Sequence, residues 1–216
     1  MTSLTLPRPS RPPLLPAPAR APRAVVMGGS TGGPTAVRQL IRGLPRDFSL
    51  PIFLVLHLSE SFENTLIELL GKDAPFPVRQ AVDGEPLPPV GLPQVVMARA
   101  NRHLRMHSGR LWLTDEPERH SCRPSVDVLF ESAAQQLGPY AIGCLLTGMG
   151  RDGAQGLQAL QKVGATTLAQ DEASSAVFGM PCEAIRLGAV QHVVGLQDLP
   201  GCLAALARTA VKGRPA

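Results

Sequence analysis

The chain has 216 residues, 44% hydrophobic, 4% aromatic and 18% charged, with 21 glycines and 22 prolines. That is the size of one full domain able to bury roughly 70% of its unfolded surface, built from aliphatic elements joined by many tight turns. Arg8, Arg11, Arg20 and Arg23 account for the net charge of +4 and leave 17 basic against 17 acidic residues elsewhere, so no basic stripe marks a nucleic-acid footprint.

Four cysteines at 122, 144, 182 and 202 lack the short Cys/His spacings of a zinc site and read as buried or incidental thiols. No run of 18 apolar residues predicts a membrane span, and prolines interrupt the N-terminus where a signal peptide needs a continuous apolar core. A cytoplasmic protein without membrane insertion is expected.

In chain order, residues 1–22 read as a disordered or extended Pro/Arg-rich tail, 23–211 as the folded domain and 212–216 as a second tail. The run 24–27 is a short strand, and 35–44 a helix with Val37, Leu40, Ile41 and Leu44 on one face. Residues 51–57 are apolar without alternation, as a parallel strand covered on both faces requires. The next helix, 61–70, has Ser61 as its cap and turns Phe62, Leu66, Leu69 and Leu70 inward. Six prolines make 74–93 a poor place for regular structure.

A strand at 95–97 precedes an antiparallel hairpin, 101–106 with 110–114, turning at His107-Ser108-Gly109. Helices at 126–137, 154–163, 181–187 and 199–211 then alternate with strands at 141–146, 165–169 and 189–194. The order predicts an α/β fold: a doubly wound, mostly parallel sheet with helices on both faces and an antiparallel β-hairpin.

Chemistry concentrates at Gly28-Gly29-Ser30-Thr31-Gly32-Gly33, between the first strand and the first helix. A phosphate loop fits poorly, because Pro34 stands where the lysine belongs. Gly28-x-Ser30-x-Gly32 matches a nucleophile elbow in the strand-to-helix context that pattern needs. The bland alternative is a glycine-rich turn whose serine caps the helix.

Ligands of an open parallel sheet sit beyond the carboxyl ends of the strands. Ser30 follows the first strand, His57 closes the second, and Asp152 lies in the loop after 141–146. A serine hydroxyl needs an imidazole to take its proton, and the imidazole needs a carboxylate to fix its tautomer. Glycines at 148, 150 and 153 would admit backbone N–H groups to an oxyanion. Competing readings remain at this point: His57 as a backbone-satisfied strand residue, Asp152 as a cap for the helix at 154, and Asp171 or Glu172 as the acid. His103, His107 and His192 read as structural or surface residues.

Four blocks then match one family in order: Gly29-Ser30-Thr31-Gly32-Gly33, Arg123-Pro124-Ser125-Val126-Asp127-Val128-Leu129-Phe130, Leu146-Thr147-Gly148-Met149-Gly150 with Asp152-Gly153-Ala154, and Ala173-Ser174 with Val177-Phe178-Gly179-Met180-Pro181. From about Ala24 to Leu206 the chain resembles the catalytic domain of the chemoreceptor protein-glutamate methylesterases, the CheB type. The resemblance implies a Ser-His-Asp triad at Ser30, His57 and Asp152, with supporting groups near Thr31 and Met149.

It further implies hydrolysis of glutamate γ-methyl esters on the cytoplasmic helices of methyl-accepting chemoreceptors, with deamidation of some glutamines and no metal or organic cofactor. Alternatives are a receptor-docking scaffold with little turnover, or an esterase for another acyl group. Family members often carry a receiver domain ahead of the catalytic one. With about 22 residues before the domain, control without an attached receiver is expected, by a separate receiver protein among other routes. Leu56 stands where the family often has Gln, and Cys122 where it often has His, with His120 close by. The first departure is expected to touch the rim of the site, the second to alter receptor docking or nothing.

Overall fold

A computed structural model describes residues 15–212. Most of the expected N-terminal tail and the last four residues lie outside the described residues. Within 15–22 no helix or strand forms, and Leu15 packs against the core.

Nine strands and six α-helices follow: β1 (Ala24–Gly29), α1 (Gly33–Gly43), β2 (Ile52–Leu56), α2 (Glu60–Asp73), β3 (Val78–Gln80), β4 (Val95–Met97), β5 (His103–His107), β6 (Arg110–Thr114), α3 (Val126–Leu137), β7 (Ala141–Leu145), α4 (Ala154–Lys162), β8 (Thr166–Gln170), α5 (Met180–Arg186), β9 (His192–Val194) and α6 (Leu199–Lys212). Seven strands form one sheet in the order β3-β4-β2-β1-β7-β8-β9, every pair parallel. The chain starts in the middle at β1, winds outward through β2, then returns to β7 and winds the other way. A crevice opens beyond the carboxyl ends where the direction reverses.

Alternation along the strands divides the core between two faces. Val25 and Met27 of β1, with Ile52 and Leu54 of β2, meet Leu40, Ile41, Leu66, Leu70, Leu203 and Leu206 of α1, α2 and α6. Val26, Phe53 and Val55 point the other way, onto Leu129, Phe130, Leu157 and Met180 of α3, α4 and α5. Both faces being covered explains why β1, β2 and β7 are buried at every position. Each fully buried Leu, Ile or Phe contributes about 1.5–3 kcal/mol.

The hairpin is a separate two-stranded sheet. Its turn is tighter than the sequence suggested: His107 pairs with Arg110, and Ser108 and Gly109 both take positive φ, 50° and 73°, as a two-residue type I′ turn requires. Leu104, Met106, Leu111 and Leu113 face inward.

Two local expectations are corrected. Helix α2 starts at Glu60 with Ser59, not Ser61, before it. Phe62 is 63% exposed and Leu69 36%, while Glu63 turns in instead, its carboxylate accepting from the Ala100 N–H and from Gln80 Nε2. The proline-rich 74–93 does contain a strand, β3, three residues at the sheet edge, where Pro can flank a ladder without breaking it. The Pro77 carbonyl still accepts from Val95 N.

Candidate active site

Three adjacent strands, β2, β1 and β7, carry Ser30, His57 and the Asp152 loop to one crevice. Ser30 leaves β1 with its N–H donating to the Thr147 carbonyl at 3.0 Å and its own carbonyl accepting from Gly33 N at 2.7 Å. Gly32 precedes α1 at φ 80°, a left-handed conformation that glycine adopts without strain. No side chain caps α1, so the capping alternative for Ser30 falls away and its hydroxyl stays uncommitted among the described residues.

His57 follows β2, its N–H reaching the Gly29 carbonyl at 3.3 Å. Its Nε2 lies 2.8 Å from Asp152 Oδ2. Asp152 caps a helix, though not its own: Oδ2 also accepts from Val126 N at 2.7 Å, and Oδ1 from Ser125 Oγ at 2.7 Å and Asp127 N at 3.1 Å. The carboxylate therefore sits on the N-terminus of α3, where the helix dipole favours negative charge. Four donors fill its four acceptor positions.

Electrostatics follow from this saturation. Burial alone would raise the Asp152 pKa, but the bonds from His57, Ser125 and the two backbone N–H groups outweigh it and hold it below the ordinary range. Burial likewise disfavours charged His57, yet its bonds to Asp152 and Cys122, with their charges, raise it from 6.5 to about 9. Since an ionised carboxylate only accepts, Nε2 must carry the proton, which leaves Nδ1 as the basic nitrogen of the neutral ring.

Nδ1 faces Cys122, whose Sγ lies 3.6 Å away. No hydrogen bond joins His57 to the Ser30 hydroxyl among the described residues. Cys122 hangs on a short loop in which Arg119 and Cys122 exchange backbone bonds of 3.1 and 2.9 Å, and His120 and Ser121 take positive φ of 52° and 58°. His57, Leu58, Ser121, Cys122, Arg123 and Pro124 line an open cleft of about 210 Å³.

Beneath it, buried Asp127 accepts from Gly156 N at 2.6 Å and His120 Nε2 at 3.0 Å. Burial and the neighbouring Asp152 push Asp127 up while Asp152 is held down. The environments of the two carboxyls thus differ although their charges are close.

Thr31 and Met149 are both exposed, Met149 at 75%. Their backbone N–H groups donate to no carbonyl among the described residues, whereas Gly148 N is engaged with Val177 O at 3.0 Å. Gly148 serves by its size: an added Cβ would stand 2.2 Å from Met180 Sδ and 2.9 Å from Ser30 Cβ. The rival acid Asp171 is occupied in a local turn with Ser174. His103 is buried between Ser125 N and Pro117 O, a structural role.

Two residues of the site were not anticipated. Ser125 could have been read as a helix cap, but not as a donor to Asp152. Cys122 was expected to alter receptor docking or nothing, and its contact with His57 was not foreseen. His57, Cys122 and Asp152, or His120, Asp127 and Asp152, bring potential metal ligands within 4.8 Å of one another, but the oxygens of Asp152 shared by both sets are already taken by hydrogen bonds.

A doubly wound α/β protein with a His–Asp pair beside a glycine-flanked serine at the switch point is the class that this geometry defines. A family model for CheB methylesterase matches residues 25–203, and the chain belongs to that family. It is 46% identical over 194 residues to protein-glutamate methylesterase/protein-glutamine glutaminase 2 of Anaeromyxobacter dehalogenans, covering 89% of this chain and 56% of that one. To the Pseudomonas aeruginosa protein-glutamate methylesterase/protein-glutamine glutaminase 3 it is 43% identical over 183 residues, 84% of this chain and 53% of that one. The chain thus spans about half the length of these relatives. The crystal structure of the Thermotoga maritima CheB methylesterase catalytic domain superposes with a TM-score of 0.80 at 32% identity, over 87% of this chain and all of that one.

Proposed function

We propose that this chain is a serine hydrolase that removes methyl groups from glutamate γ-methyl esters of chemoreceptor cytoplasmic helices and deamidates receptor glutamines. The observation that carries the reading is the His57–Asp152 pair at the strand end next to Ser30, in a chain whose relatives are named for both activities.

In this mechanism the Ser30 hydroxyl attacks the ester carbonyl while His57 Nδ1 takes its proton. Asp152 holds Nε2–H and stabilises the imidazolium. The oxyanion is met by the free N–H groups of Thr31 and Met149, a contribution of about 10²–10³ in rate per donor. His57 returns the proton to the departing methoxide, releasing methanol, or to the departing amine in a glutamine. Water then attacks the acyl-enzyme with His57 again as base, and the sequence draws on no cofactor. It runs in the cytoplasm, where the receptor helices lie, with a separate receiver protein as a candidate regulator.

Proton transfer requires His57 Nδ1 to exchange the Cys122 thiol for the Ser30 hydroxyl. Hydrogen bonds of this kind often tighten only when substrate binds. The same contact favours a second reading, a receptor-docking protein with little turnover. Methanol release from methylated receptor membranes separates the two: the intact protein should release methanol, and Ser30→Ala should lose roughly 10⁴-fold or more. No release above background by the intact protein would leave the docking reading.

A further inference from the structure

We propose that Cys122, His57 and Asp152 form a second nucleophilic relay on the shared imidazole, making Cys122 a covalent modification site for small soft electrophiles, hydroperoxides among them. The parts of a thiol relay are in place: Asp152 fixes Nε2–H at 2.8 Å, and Nδ1 faces Sγ at 3.6 Å, so that the S–H, which also reaches the His120 carbonyl at 3.3 Å, turns to Nδ1 for the transfer. The approach of Sγ to Nδ1 is also the only contact between a nucleophile and this base among the described residues.

Access is present too. Cys122 is half-buried and lines the open cleft with His57 and Arg123. The other three thiols differ: Cys144 and Cys202 are buried, and Cys182 is half-buried but lies on α5. An imidazole in contact with the thiol, itself oriented by Asp152, is the base that can take the Sγ proton.

With an alkyl halide, the Sγ proton passes to Nδ1, an S–C bond forms and halide leaves. With a hydroperoxide, the S–O bond forms as the O–O bond breaks. Sulfur gives up two electrons, and the departing oxygen takes the proton from His57, leaving as water when the peroxide is hydrogen peroxide. The product is a sulfenic acid, the reversible first step of thiol oxidation. An adduct here stands against Nδ1 in the cleft that His57 and Cys122 line. Its block on hydrolysis rests on the reading of His57 as the base, whereas the reactivity of the thiol does not.

The test is brief iodoacetamide labelling of the native protein at neutral pH, read by peptide mass spectrometry. General-base assistance from the adjoining imidazole predicts labelling of Cys122 about 10-fold faster than Cys182, whose thiol has no such base among the described residues. His57→Gln should abolish that advantage, and hydrogen peroxide pretreatment should protect Cys122 first. Equal rates at Cys122 and Cys182 in the intact protein would overturn the relay whether or not the variant folds. For the block, methanol release is normalised to each preparation's own untreated rate. Loss in the native protein and resistance in Cys122→Ser support it, and equal loss in both, or none in either, overturns it.

Discussion

Replacing Asp152 with asparagine keeps the side chain's shape and removes its charge. The amide offers one oxygen where the carboxylate offers two. If that oxygen takes the Oδ1 place, facing Ser125 Oγ and Asp127 N, the NH₂ group meets Val126 N–H, a donor, at 2.7 Å. His57 Nε2 must then accept, which moves the ring proton to Nδ1 and removes the base. In the reverse orientation Ser125 can accept from the amide, but Asp127 N–H is left facing a donor.

Either way one buried N–H loses its partner, at about 1–3 kcal/mol, and the surviving bonds lose their charge assistance, for a total of roughly 2–5 kcal/mol. In the first orientation catalysis should fall by about 10⁴-fold through the wrong tautomer. Urea unfolding gives the first quantity and methanol release the second. An unchanged unfolding midpoint with activity within about tenfold of the parent would refute the account of Asp152 as both cap and orienting acid.

Activity should depend on pH through His57. As the proposed base it must be neutral, so kcat/KM should rise with pH and level only near or above its pKa of about 9. Cys122→Ala, which removes a bond and a charge that raise that pKa, should move the rise to lower pH; a profile already flat from about pH 7 would contradict this. Stability moves oppositely: a folded-state pKa above the ordinary 6.5 means the imidazolium's contribution is complete below 6.5 and lost as pH rises through about 9. Asp152, held low, contributes above the ordinary carboxylate pKa and loses that contribution as pH falls through its folded value. Chemical denaturation across pH 3–10 reads both limbs. Gly148→Ala would press a methyl against Ser30 Cβ at 2.9 Å and Met180 Sδ at 2.2 Å; it should cost about 1–3 kcal/mol and on the order of 100-fold in kcat/KM. Wild-type kinetics in that variant would show that Ser30 does not need its place against Gly148.

Ser30, His57 and the Asp152 loop were legible in the sequence because each closes or follows an unbroken apolar run, and parallel strands bring such ends together. The separate runs also exposed the alternating fold. Cys122 and Ser125 were not legible as site residues. They belong to the segment between the hairpin and α3, and nothing in their spacing says that a thiol 65 positions from His57 meets its ring.

The α2 face failed for a related reason. Phe62 and Leu69 obeyed the apolar period, but the buried acceptor needed by Ala100 N drew Glu63 inward and rotated the helix away from them. Strand β3 was hidden because prolines suppress local strand propensity, while the edge position that tolerates them is a tertiary fact.

The most direct measurement is active-site labelling with a fluorophosphonate, followed by peptide mass spectrometry. This account predicts a single adduct on Ser30, lost in Ser30→Ala and formed far more slowly in Asp152→Asn. An adduct on another residue, or an unlabelled Ser30 in the intact protein, would contradict the assignment of Ser30 as the nucleophile.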